Sequence, residues 1–211
     1  MTTPLIPDRR PFGAVLCDLD NVIRHYDTSR LAERERAAGL AEGTTAKVAF
    51  EPATDLPMLL GEIGEEEWIE SIALGLSGQV SPELARELAT TLLGSPFSVD
   101  EEVVALLRRV RTHVPLVLVT NATTRLEDDL LTMGLDDLAD HVVSSARVRL
   151  VKPDREIYEL AAARAGVAVE RCLFVDDRLE NVEAAVALGM TGVHFRESAD
   201  LRAAVGGLLG D

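Results

Sequence analysis

Four short polar clusters follow one another along the 211-residue chain: Asp18-Leu19-Asp20, Thr120-Asn121, Lys152-Pro153 and Asp176-Asp177. Together they supply a carboxylate nucleophile, a second carboxylate for proton transfer, donors to phosphate oxygens, a fixed cation and ligands for a hard metal. Those are the parts a phosphoryl transfer needs. Two close carboxylates such as Asp18 and Asp20 either raise one another's pKa or share a cation. The oxygens of Asp176 and Asp177 suit Mg2+, which keeps several of its waters. Asp177 with Glu180 also matches a capping box for a helix starting at Arg178. Thr120-Asn121, placed before a helix, offers a hydroxyl and backbone N–H groups to an anion. Read alone, that pair is an ordinary helix cap and Lys152 a surface charge; their weight comes from order and company. His25, five residues beyond Asp20, is read as a substrate or hinge contact. Trp68 is read as core, and Glu65-Glu66-Glu67 as an acidic first helical turn.

The elements that must position these residues are legible as short apolar runs. Gly13–Cys17, Leu116–Val119, Cys172–Val175, Gly192–Phe195 and, more weakly, His141–Val143 lack alternation and suit strands covered on both faces. Between them run helical stripes: Val103, Leu106, Leu107 and Val110; Leu126 and Leu130; Ile157, Leu160 and Ala161; and Leu179, Val182 and Val186. Strand–helix alternation predicts a doubly wound α/β parallel sheet with ligands at the carboxyl ends of its strands, where all four clusters fall. From Tyr26 to Pro96 no strand is expected, only helices over about Ser29–Ala38, Asp55–Leu60, Glu65–Leu76 and Pro82–Leu93. Ser81-Pro82 marks the last of these starts. The expected division is a core of residues 1–25 and 97–211 with a helical lobe, 26–96, over the site.

Composition narrows the partners. A net charge of −15 argues against nucleic acid and anionic membrane, because phosphate backbones bind basic faces. A metal and a lysine can still invert the field locally for a small phosphorylated substrate. No apolar run approaches the ~20 residues of a membrane span, and the first residues lack the pattern of a secretory signal. With two cysteines, Cys17 and Cys172, both in predicted strands and read as buried hydrophobes, a cytoplasmic protein is expected, as a monomer or homodimer.

Asp-x-Asp, a Thr after the second core strand, a Lys and a terminal acidic pair, in that order, resemble the haloacid dehalogenase-like hydrolase superfamily. The motifs and the core cover residues 11–25 and about 97–211, and the insert is similar to that family's small helical cap. The resemblance implies a Mg2+-dependent phosphatase of a small phosphorylated metabolite, sugar phosphates leading. Asp18 would form an aspartyl-phosphate, and Asp20 would protonate the leaving oxygen and then activate water. Thr120 and the Asn121 backbone would hold phosphoryl oxygens, and Lys152 would neutralise charge. Asp177 would ligate the metal with Asp176 close by, Asp18, and the Asp20 carbonyl. Asn21 stands where many members have Gly and requires a turn that tolerates a side chain, with a left-handed backbone. Asn181 stands where many carry another acid, and bonds to Lys152 or metal waters are expected of it.

Four other readings are weighed against this one. Dehalogenases of the same fold lack the second Asp of the first motif, so Asp20 favours phosphate esters. A phosphomutase shares the core and differs in how the lobe excludes water. A non-catalytic phosphometabolite-binding module is the reading from another class. A receiver domain is argued against by order, since its acidic pair lies on the first strand and here it follows Lys152.

Overall fold

The computed structural model describes residues 10–210. The expected absence of a secretory signal falls on residues that lie mostly outside that range.

In chain order the elements are β1 (Ala14–Cys17), β2 (Arg24–Tyr26), α1 (Ser29–Ala37), α2 (Thr44–Ala49), α3 (Pro52–Leu59), α4 (Glu65–Gly75), α5 (Pro82–Leu93), β3 (Phe97–Val99), α6 (Glu101–Arg111) and β4 (Leu116–Thr120). There follow α7 (Leu126–Met133), β5 (His141–Ser144), α8 (Ser145–Val148), α9 (Arg155–Ala165), β6 (Cys172–Asp176), α10 (Leu179–Ala187), β7 (Thr191–His194) and α11 (Ser198–Leu209). Five strands form one parallel sheet in the order β5-β4-β1-β6-β7. Alternate residues of β1 serve opposite faces. Val15 and Cys17 pack with α6, α7 and α11, whereas Ala14 and Leu16 pack with α9 and α10. This is the doubly wound α/β layer that the unalternating apolar runs require. The chain turns from building leftward to building rightward between β1 and β6, and an open α/β sheet places its ligand crevice at such a switch point. Asp18 follows β1 and Asp176 ends β6, so the switch point is also where the first and last acidic clusters meet.

The five helices α1–α5 gather around an apolar cluster of their own that includes Leu31, Trp68, Ile72, Leu76 and Leu88. Trp68 is core, as its place in the Trp68-Ile69-Ile72-Leu76 stripe requires. Ser81 caps α5, its hydroxyl accepting from the Leu84 N–H at 3.3 Å. One helix, α2, was not expected. Its cap comes from eight or more residues upstream, because the buried Glu35 carboxylate accepts from the N–H groups of Gly43 and Thr45 at 2.7 and 2.6 Å. The ends of the insert also differ from the expected loops: β2 and β3 pair antiparallel into a short ribbon. Three-residue strands of mixed polarity carry no period to read.

The α10 stripe needs correction. Leu179 and Val186 are half exposed, and the buried face is Asn181, Val182 and Ala185. The cause is polar, since Asn181 turns inward to a buried carboxylate at the end of β6.

The turn joining α3 to α4 rests on α8. Gly61 has φ +67°, and a Cβ there would fall 2.8 Å from the Ala146 carbonyl oxygen. Gly39 shares the left-handed backbone at φ +77° with open space around it. Gly61→Ala is therefore expected to cost more than Gly39→Ala, by roughly 1–3 kcal/mol as an overpacking term, or several degrees of Tm. Equal Tm values for the two variants would show that the contact between turn and core contributes nothing.

Candidate active site

The ammonium of Lys152 lies between two acids, 2.8 Å from Asp18 Oδ1 and 2.7 Å from Asp176 Oδ2, with the residue 4 % exposed. Its backbone is held by Asn121: the side-chain amide donates to the Lys152 carbonyl at 2.9 Å and accepts from the Lys152 N–H at 2.8 Å. Beneath it the Phe174 ring lies 5.9 Å from Nζ and meets Tyr158 edge-on at 5.1 Å. Such a pair contributes about 0.5–1.5 kcal/mol beyond its area. The Tyr158 hydroxyl donates to the Asn181 carbonyl at 3.0 Å, so the same aromatic pair supports α10.

Asp176 is fully buried, and both its oxygens accept hydrogen bonds. It accepts from Lys152, from the Arg178 N–H at 2.8 Å, and from Asn181 Nδ2 at 3.0 and 3.1 Å. This corrects two expectations. The Asp177–Glu180 capping box does not form: α10 starts at Leu179, its first free N–H is taken by Asp176, and Asp177 instead accepts from Asn21 Nδ2 at 3.0 Å. Asn181 bonds to Asp176 rather than to Lys152. A neutral amide satisfies both oxygens of a buried carboxylate where a further acid would repel it. Asn21 has φ 58°, the left-handed turn anticipated for a side chain at that position.

Asp18 Oδ1 also accepts from the Leu19 N–H at 2.7 Å. Burial raises the Asp18 carboxyl well above the ordinary carboxylate range; Lys152 opposes the shift and Asp176 adds to it. Burial pulls the Lys152 ammonium down, but Asp18 and Asp176 together carry it above its usual value, so it stays charged. Burial likewise raises half-buried Asp177, against its bond from Asn21. One oxygen from each of Asp18, Asp176 and Asp177 lies within 4.8 Å of the others. Three carboxylates facing one ammonium leave an excess of two negative charges, and hard oxygen donors with that excess fit a divalent cation.

Thr120 ends β4 with its hydroxyl buried and without a hydrogen-bond partner. Asn121 does not open a helix; residues 121–125 form a loop before α7, and Ser145 ties that loop down through both the N–H and the carbonyl of Ala122. The Asn121 side chain thus serves Lys152. The Asp20 carboxylate is not in the three-acid group. Both its oxygens are taken by Arg24, Nε to Oδ1 at 2.6 Å and Nη2 to Oδ2 at 3.1 Å. His25 is not brought to the cluster either. It sits in β2 opposite Ser98, on the face away from Arg24 and Tyr26, and bonds to no site residue among those described.

Sequence reasoning missed several residues. These are Arg24, Asp129 on α7, Ser145, Tyr158 and His194, whose Nε2 lies 3.0 Å from the Asp177 carbonyl. Only Arg24 had a local signal, a basic residue four places beyond Asp20, and that spacing suggests a helical pair rather than a tight loop.

A family model for haloacid dehalogenase-like hydrolases matches residues 12–189. The chain belongs to that family. As a haloacid dehalogenase-like hydrolase it is 36% identical over 101 residues to sesquiterpene phosphatase astK of Aspergillus oryzae, a match covering 47% of this chain and 52% of astK. The aligned stretch thus spans about half the length of that curated relative. Among solved structures, a family enzyme from Bacteroides thetaiotaomicron, in complex with magnesium and inorganic phosphate, superposes with TM-score 0.64 at 20% identity, over 85% of this chain and 92% of that one. The L-2-haloacid dehalogenase RSc1362 superposes with TM-score 0.62 at 21% identity, over 85% and 84%. At such identities these two likenesses establish the hydrolase's fold. No helix among the described residues is long and apolar enough to cross a membrane.

Proposed function

We propose that this hydrolase is a Mg2+-dependent phosphatase of a small phosphorylated metabolite, acting through an aspartyl-phosphate on Asp18. The observation that carries the reading is the group of three acidic oxygens from Asp18, Asp176 and Asp177 built around one buried lysine. A dehalogenation needs no such metal site. Asp18, Asp176 and Asp177, with the Asp20 carbonyl, would hold Mg2+, which when bound would neutralise charge on the phosphoryl oxygens.

The residues divide the work as follows. Leu19 N–H and Lys152 both engage Asp18 Oδ1, which leaves Oδ2 to attack phosphorus. As the Oδ2–phosphorus bond forms, the ester P–O bond breaks and Asp20 gives its proton to the leaving oxygen. In the second half Asp20 takes a proton from water, water oxygen bonds phosphorus, and the Asp18–phosphorus bond breaks to release phosphate. The orphaned Thr120 hydroxyl fits a phosphoryl oxygen, and Lys152 offsets the charge that develops there. The lobe contacts the loops that carry these groups. Arg125 Nη1, in the loop after β4, is 2.9 Å from Glu65 on α4, and the charge of Arg178 acts on the carboxyl of Asp55 on α3.

A sugar phosphate is the leading substrate class. An apolar leaving group is the second reading. Leu56 and Leu179, both substantially exposed, directly follow Asp55 and Arg178 in the chain, and astK is named a sesquiterpene phosphatase. Purified protein with Mg2+ and a panel of sugar phosphates, isoprenoid monophosphates and p-nitrophenyl phosphate is expected to release inorganic phosphate, with one class clearly preferred. An isomerised sugar phosphate in place of free phosphate would mark a mutase. Silence across the whole panel would overturn the reading.

A further inference from the structure

Arg24 is an unusual residue to find beside a carboxylate assigned to proton transfer. It is 3 % exposed, and all three nitrogens of its guanidinium are engaged. Two of its nitrogens grip both oxygens of Asp20, and the third, Nη1, is 2.8 Å from Asp129 on α7. The rings of Tyr26 and Phe97, which meet edge-on across the β2–β3 ribbon, lie 4.9 and 5.7 Å from its Cζ. The backbone around it closes just as tightly, with Arg24 N–H donating to the Leu19 carbonyl at 2.9 Å and Asn21 N–H donating to the Arg24 carbonyl at 2.8 Å.

Three consequences follow from this arrangement. A two-pronged contact fixes both the direction and the rotation of a carboxylate, which a single hydrogen bond does not. Each carboxylate oxygen offers two lone-pair directions, so the grip leaves room for a further proton contact on the side of Asp20 that stays 30 % exposed. With each nitrogen already held by an acid, two rings beside it and 3 % of its surface exposed, Arg24 is poorly placed to bind a substrate anion.

We infer that Arg24 is the positioning residue for Asp20, aiming the carboxylate at the leaving oxygen through a guanidinium anchored on Asp129 and the Tyr26–Phe97 pair. The role rests on the phosphatase reading above. It predicts a specific signature. A positioned acid matters most when the leaving group is basic and least when it departs unaided, so losing Arg24 must hurt phenyl phosphate far more than p-nitrophenyl phosphate.

The test is kcat/KM with Mg2+ for those two esters in the wild type, Arg24→Met, Asp20→Asn and the double variant. Arg24→Met is expected to lose about 100-fold on phenyl phosphate, the lower range of general acid catalysis, and much less on p-nitrophenyl phosphate. In the Asp20→Asn background the same change is expected to add almost nothing, because both remove one function. If Arg24→Met does not fold, Arg24→Lys keeps the charge without the fork and is expected to show the same contrast between esters at smaller size. Equal losses on both esters, or a full additional loss without Asp20, would assign Arg24 a merely structural role. A wild type silent on these esters and on the whole panel above would overturn the phosphatase reading and this role with it, whereas turnover in the wild type with equal losses in the variant would overturn the role alone.

Discussion

Asp18→Asn is expected to abolish phosphate release, a loss on the order of 10^4-fold or more, since the nucleophile cannot be bypassed. The fold is expected to stand. Asparagine has nearly the shape of aspartate, and its carbonyl oxygen can still accept from the Leu19 N–H and from Lys152, which reach Asp18 Oδ1 at 2.7 and 2.8 Å. Steady-state phosphate assay and circular dichroism on the same preparation check both halves. The contrast is sharpest against a change at Asp20, where loss of a proton carrier costs about 10²–10⁴-fold and leaves the nucleophile in place. Turnover by Asp18→Asn within tenfold of the wild type would remove Asp18 from the reaction.

Lys152→Met carries the largest expected effect on stability. The lysine is the shared counter-charge of Asp18 and Asp176, and Asp176 is fully buried. Removing one partner of a buried pair costs about 3–5 kcal/mol because a charge is left without compensation. In a chain of this size that corresponds to a Tm lower by on the order of 10 °C. The loss is expected to shrink when Mg2+ is added, because three carboxylates without their ammonium gain more from a bound cation than the wild-type group does. Phosphate release is expected to fall about 10²–10³-fold, the cost of removing one preorganised donor to developing charge. Scanning calorimetry with and without Mg2+ reads the stability terms. An unchanged Tm would mean that the ion pairs around Lys152 do not hold the switch point together.

The clusters around Lys152 were legible because chemistry and position agreed. Asp18 and Asp176 end adjacent parallel strands whose apolar runs are plain in the sequence, and Lys152 has no reason to be buried except to meet them. What could not be read depended on partners distant in sequence. Asp129 reaches Arg24 across 105 residues, and the Asn121 amide holds the Lys152 backbone across 31. The start of α2 is capped by Glu35, which leaves no Ser, Thr, Asp or Asn signal immediately before it. The α10 stripe was misjudged for a related reason. Periodicity counts apolar residues, and the side chain that decides the buried face is Asn181, drawn in by a carboxylate five residues earlier. The capping box that Asp177 and Glu180 match does not form, since the Arg178 N–H goes to Asp176 while Asp177 accepts from Asn21. In each case a specific polar contact outweighed the local pattern.

The central claim is that Asp18 becomes covalently phosphorylated. Acid quenching during turnover of p-nitrophenyl phosphate with Mg2+, followed by mass spectrometry of the digest, tests it directly. A phosphoryl increment confined to the peptide that contains Asp18, absent in Asp18→Asn and decaying as substrate runs out, is the predicted result. Steady phosphate release with no increment on that peptide at any quench time would contradict it.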